Sequence, residues 1–273
     1  MSLPVIQGRR WGRRYDKYDP RDYRMATAPV FLRRMDQLAP VGDNRQWMGP
    51  IKNQGDEGSC TGHAYTSFGE WVARRYGAKT PVFSPQFTYA EELILEGSFP
   101  DDGGAMPRSG CVVSFTYGFC EATVFPYVAG QITRPTDTQI ANAATWKLIG
   151  GYHRINTADD ALSTCASKMP WLFTVGFNVF KSFTDVIVGQ TGVMPIPNKD
   201  TEELLGGHET LGGLAWDIGA TPTLRPQGCP PAILIQNSWG DTWGIKGCFW
   251  MPISVLSDPD VVSDIWMMHD FGS

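Results

Sequence analysis

Between residues 60 and 76 the chain reads CTGHAYTSFGEWVARRY, with Ala64, Phe68, Trp71 and Val72 recurring on one helical face. Gly77 follows as a C-terminal stop. Ser84-Pro85 reads as an N-cap with Pro at the first helical position, predicting a helix that runs to about Glu96 before Gly97. The loop DDGGAMPRSG leads into a third helix near 110–120. A fourth is predicted from Thr157, its cap, to Lys168, before Pro170. The texture then changes. Residues 171–180, 208–216, 232–236 and 247–253 are short apolar runs broken by Gly, Pro and Asn, and they predict strands. Helices first and strands later imply an α+β chain of two packed halves, with a cleft between them as the default site.

Composition supports a folded body. Of 273 residues, 42% are hydrophobic and 19% charged, enough apolar matter for a real core. No apolar run approaches the ~20 residues that span a bilayer, so no membrane partner is expected. The start, MSLPVIQGRRWGRR, lacks the apolar stretch of a secretory signal, which leaves the cytoplasm or a virion as the expected setting. Net charge is −5 but uneven: residues 1–40 carry nine Lys/Arg against four Asp, and the rest is acidic. Such an arm is expected to dock on its own body, on an acidic protein partner or on a larger assembly. Its interleaved aromatics would also suit nucleic acid, but self-docked tails are commoner, and nucleic acid is not the expected partner.

The six cysteines form no CxxC pair, so no metal site is predicted and no cofactor is called for. If any disulfide exists, Cys229 and Cys248, flanking an apparent hairpin, are the expected pair. The sharpest local feature is NQGDEGSC, residues 53–60, a Gly-containing loop that delivers Cys60 to the start of an amphipathic helix. The helix dipole and free N–H groups there favour the reactive thiolate. A buried inert cysteine is the plain alternative. Of the four histidines, His63 suits local packing, His153 lies in a strand-like stretch, and His269 has no supporting motif. His208 follows Gly206-Gly207 at the start of a strand, where its ring meets little crowding. Asn237, in QNSWGDTWG at the end of an apolar strand, is the type of residue that orients a catalytic imidazole, with Trp239 shielding the bond.

QGDEGSC, GGHETLGGLAWD and NSWGDTWGIKGCF, in that order, resemble the motifs of the papain-like cysteine peptidases, and the likeness covers roughly residues 40–270. SPQFTYAEE and FCEATVFPY also resemble the family, in the form of its bacterial and phage members. The family places its His and Asn about 130–150 residues after the Cys. His208 falls in that window; Asn237 lies beyond it, an excess that TPTLRPQGCPP would explain as a loop insertion. The resemblance implies an α+β papain-like fold, with a helical lobe over about 50–130, a β-barrel lobe over about 131–273 and the site in the cleft between them. Residues 41–273 would be the peptidase domain and 1–40 a short extension. It further implies Cys60 as nucleophile, His208 as base then acid, Asn237 as orienting residue and Gln54 as oxyanion donor. Gly103 and Gly104 would bind an extended polypeptide substrate, and Trp239 and Trp243 would wall the leaving-group side.

Glu57 stands where many relatives have a cysteine, and Thr61 replaces the aromatic that commonly follows the nucleophile. The forty residues before the domain are short for a helical inhibitory pro-segment, so control by its removal is not expected, while a short basic arm could still lie across the cleft or anchor the chain to a larger assembly. Trp266 and Met268 stand where pocket-lining residues fall, which hints at an apolar side-chain site. Two other readings stay open: a virion or assembly component that uses a peptidase fold for docking, and a cell-wall amidase or peptidase.

Overall fold

The structure, a computed structural model, describes residues 9–20, 22, 38–79, 81–167 and 170–270. Lys168 and most of the basic arm lie outside the described residues.

Helix α1, Cys60–Arg75, is the central element, and every residue from Cys60 to Ala73 is buried. Its apolar face, with Phe68 and Trp71, packs against Trp171 and the sheet. The opposite face is also covered, because α2 (Pro85–Glu96) and α3 (Pro107–Thr116) close over it. Gly62 permits this approach: a Cβ there would stand 2.6 Å from the Pro85 carbonyl oxygen. Burial on all sides requires partners for its polar groups. Glu70 meets Lys52 at 2.8 Å and accepts the Phe83 N–H.

The predicted bounds of α2 hold. Ser84 Oγ accepts the Phe87 N–H, Pro85 opens the helix, and Gly97 closes it in the left-handed conformation. The third helix begins earlier than expected because Pro107 supplies its first turn. Thr157 caps α5, which ends at Cys165. Helix α4, Asp137–Ala144, was not anticipated.

Seven strands form one antiparallel sheet: β1 (Val41–Asp43), β2 (Gly151–Ile155), β3 (Phe173–Phe180), β4 (Leu204–Asp217), β5 (Ala232–Gln236), β6 (Cys248–Pro252) and β7 (Val262–His269). The order is β2-β7-β3-β4-β5-β6, with β1 on the far end of β4. The barrel of the family is here, in hydrogen-bond terms, this continuous sheet. In β7, Trp266 and Met268 are buried, and Trp266 Nε1 donates to Asp16 Oδ2 of the arm at 2.8 Å.

The anticipated Cys229–Cys248 bridge is absent, and both are free thiols. The ladder gives the reason. Cys248 faces Gln236 at one end of β5–β6, whereas Cys229 precedes the other end, where Ala232 faces Pro252. That separates them by on the order of 13 Å along the strands, beyond the ~7 Å Cα limit for a disulfide. Residues 218–231, including the inserted stretch, form the loop between β4 and β5. Among the described residues no helix is long and apolar enough to cross a membrane.

Candidate active site

The loop before α1 is stitched to the loop after β5. Gln54 N–H donates to the Ser238 carbonyl at 2.8 Å, and Gly240 N–H to that of Lys52 at 3.0 Å. Gly55, at φ 61°, allows the turn. Ser238 Oγ donates to Gln54 Oε1, which turns the amide nitrogen the other way, toward the carbonyl oxygens of Glu57 (2.8 Å) and Arg10 (3.5 Å).

Cys60 begins α1 and is fully buried. Across from it, β4 carries His208, paired in register with Phe177 of β3. His208 Nε2 lies 2.8 Å from Asn237 Oδ1. Trp239 stacks on the imidazole at 5.1 Å, while Phe177 and Trp11 meet it edge-on. An Asn carbonyl only accepts, so this bond places the proton on Nε2 and leaves Nδ1 as the basic nitrogen. Nδ1 is buried without a hydrogen-bond partner. The backbone of Glu209 and of Gly12 lies beside the Cys60 thiol.

Gly12 belongs to the arm, whose described residues 9–20 run through the groove. Gly12 carbonyl accepts the Ala105 N–H at 2.9 Å, Arg13 N–H donates to the Gly207 carbonyl at 3.0 Å, and Arg14 N–H to that of Ala105 at 2.9 Å. The segment thus pairs with both walls at once. Gly12 is required at the crossing, since a Cβ there would stand 1.7 Å from the Gly58 carbonyl oxygen. The basic side chains find acids on the body: Arg10 meets Asp102 at 2.6 Å, Arg13 meets Asp264 at 2.7 Å and Arg14 meets Glu96 at 2.9 Å. Arg9 lies over the Trp239 ring.

Covered in this way, the pair is electrostatically quiet. Burial pushes the Cys60 thiol up to about 12. Burial, with the nearby charges of Arg9 and Arg13, pulls His208 down to about 4 against the pull of Asn237. Thiol and imidazole are therefore both neutral at pH 7.

Of the other sequence-chosen residues, Gly104 lies against the arm, where a Cβ would stand 1.9 Å from the Gly12 oxygen. Gly103 turns back, its N–H donating to the Asp101 carbonyl. Trp243 meets Trp239 edge-on at 4.8 Å, and both line a cavity of about 400 Å³ with Arg9, Trp11 and Val186. His63 is bonded to the Ser59 carbonyl and packed on Tyr127, while His153 and His269 lie face to face on β2 and β7. Sequence reading missed Arg13 and the acids around it. The cue was Gly12 set between basic and aromatic residues, a spacing that charge counting ignores.

No family model matches the chain. Its structure is similar to that of xylellain, a cysteine protease from Xylella fastidiosa, at 25% identity and TM-score 0.79, covering 99% of both chains. Procathepsin L2 from Tenebrio molitor is similar in fold at 19% identity and TM-score 0.62, over 85% of this chain and 69% of that one. By sequence the chain is 29% identical over 231 residues to an uncharacterized peptidase C1-like protein, L477, of Acanthamoeba polyphaga mimivirus, covering 80% of this chain and 69% of the relative. A likeness that runs the length of a bacterial cysteine protease in structure, and reaches a viral peptidase-like protein in sequence, shows a peptidase of papain-like fold.

Proposed function

We propose that the chain hydrolyses polypeptides through Cys60, His208 and Asn237, and that residues 9–20 hold the site shut until displaced. The observation that carries the reading is the buried His208–Asn237 bond, which leaves Nδ1 buried without a hydrogen-bond partner and ready to take a proton.

With the groove open to substrate, Nδ1 takes the thiol proton and the thiolate attacks the peptide carbonyl carbon. Charge develops on the carbonyl oxygen, and Gln54 Nε2 with the Cys60 N–H stabilises it. Such a donor is worth about 3 kcal/mol in a comparable site. His208 returns the proton to the departing amine, leaving a thioester. Water, deprotonated by the same nitrogen, then releases the acid and restores the thiol. Asn237 keeps the ring in the tautomer that makes both transfers possible, and Trp239 excludes water from that bond.

The arm fits the groove without being a substrate. It lays the Gly12 backbone beside the sulfur, in the place that a substrate carbonyl carbon would take. It sets the Arg10 carbonyl against Gln54 Nε2, and so occupies the oxyanion donor. Gly104 and Ala105 on one side and Gly207 on the other would then receive an extended substrate backbone.

The test is cleavage of a denatured protein and of quenched fluorescent peptides by the full chain carrying Gly12→Val, which cannot seat its arm. Peptide-bond hydrolysis lost on adding Cys60→Ala supports the reading. Hydrolysis that survives Cys60→Ala, or release of peptidoglycan fragments with proteins left intact, overturns it.

A further inference from the structure

Arg13 is not held as a surface arginine is held. Its side chain has no exposure. Nη1 donates to Asp264 Oδ2 at 2.7 Å and to Ser263 Oγ at 2.8 Å, and Nη2 donates to Asn178 Oδ1 at 3.1 Å. The chain reaches these groups between two glycines: a Cβ on Gly176 would stand 2.5 Å from Arg13 Cδ, and one on Gly207 2.9 Å from Arg13 Nε. The receptacle crosses three neighbouring strands, since Gly176 of β3 faces both Glu209 of β4 and Ser263 of β7.

Glu209 supplies the second acid. It is fully buried, and neither carboxylate oxygen has a hydrogen-bond partner. A Cβ on Gly176 would lie 2.8 Å from its Oε2, so this carboxylate borders the same space as the Arg13 stem. Burial holds its carboxyl well above the ordinary carboxylate range, and the Arg13 charge is the largest influence pulling the other way. Asp264 is shared with Arg154, whose Nη2 donates to Oδ1 at 2.5 Å, so one acid of the two is balanced without the arm. A buried polar group left without a partner is costly, and a cation set beside it offsets that cost. The body has therefore been built with an acidic hole one residue along from the crossing over Cys60, and the arm fills it.

We infer that this hole, made by Glu209, Asp264, Ser263 and Asn178 around Gly176 and Gly207, is the enzyme's principal side-chain subsite, and that it selects an arginine side chain in the substrate. The inference rests on the peptidase reading of Cys60. Arg13 is then an internal occupant of the subsite, and the arm holds by mimicking the group the pocket prefers.

The experiment uses the full chain carrying Gly12→Val and Arg13→Ala, so that neither crossing nor pocket is occupied. Peptidyl chloromethyl ketones carry arginine, its neutral isostere citrulline, or leucine at the first or second residue before the electrophile. Labelling of Cys60 is followed by mass spectrometry. At one of the two positions arginine should label faster than citrulline by about tenfold to a hundredfold, the worth of bonds to a charged group. Glu209→Gln should erase most of that ratio. Comparison of two peptides on one protein needs no pocket variant to fold. Citrulline or leucine labelling as fast as arginine at both positions would overturn the proposal. So would the absence of peptide labelling while iodoacetamide still modifies Cys60. Failure of iodoacetamide as well would instead overturn the reading of Cys60 as an accessible nucleophile.

Discussion

Two buried arginine–carboxylate pairs in this molecule differ in how they are closed. Asp217, the last residue of β4, and Arg225, in the loop that follows, lie eight residues apart. Asp217 Oδ2 accepts three successive backbone N–H groups, from Thr223, Leu224 and Arg225, and Arg225 spends its remaining donors on the carbonyls of Asp217, Gly219 and Cys229. Arg13 and Asp264 are 251 residues apart, Arg13 Nε has no partner, and Glu209 beside them is left unmatched. The first pair is satisfied within its own loop and holds that loop's shape. The second joins the arm to a body whose acids come from strands far along the chain. The same chemistry thus serves as a staple in one region and a latch in the other.

The difference can be broken first on the staple. Arg225→Ala leaves Asp217 buried without its cation and should lower the unfolding free energy by about 3–5 kcal/mol, read from the denaturant midpoint. Arg13→Ala should leave that midpoint nearly unchanged while loosening the arm. Truncating one member of a buried charge pair across an interface costs about 2–5 kcal/mol. Alkylation of Cys60 should therefore rise about thirtyfold or more. A large drop in stability with no gain in labelling would make Arg13 a second staple.

Glu57 sharpens the contrast, because among the described residues it forms no ion pair. Burial holds its carboxyl up to about 7, despite the Gly130 N–H that it accepts. Between the ordinary value near 4.5 and about 7 the folded chain keeps a proton that the unfolded chain has released. Its contribution to stability is thus whole below that range and lost as pH rises through about 7. Glu57→Gln, which retains an acceptor for Gly130, should be stabilising by about 2–3 kcal/mol at pH 8 and neutral at pH 4. The smallest effect belongs to α4, where Thr136 and Gln139 form a reciprocal capping box. Thr136→Ala should cost about 1 kcal/mol in unfolding free energy and leave labelling of Cys60 unaltered.

What could be read from sequence follows the same division between local and distant closure. Helix α2 was legible because Ser84, Pro85 and Gly97 each act on the backbone beside them. Cys60 could be proposed from sequence because it opens α1 and Asn237 because it follows β5, whereas the predicted strand began at His208 and β4 begins at Leu204. Helix α4 was not, since Ala143 is its only buried residue and no apolar stripe marks it; the Thr136-to-Gln139 spacing was the available signal. Strand β7 hid because Trp266, Met267 and Met268 are all buried, which removes alternation, and because Asp264 sits at positive φ where the ladder slips. The Arg13 pocket gathers residues from three strands distant in sequence, and no local spacing encodes it.

The account turns on whether the arm silences an otherwise activated Cys60. The direct measurement is the rate of Cys60 modification by iodoacetamide across pH, in the full chain and in the Gly12→Val/Arg13→Ala variant, with the site mapped by mass spectrometry. Slow labelling of the unaltered chain is expected, consistent with a thiol held up to about 12. The variant should label rapidly well below the ~8.5 of a free thiol, and adding His208→Ala should abolish that rapid low-pH reaction. Equal rates in the two chains, or rapid labelling that survives the loss of His208, would contradict it.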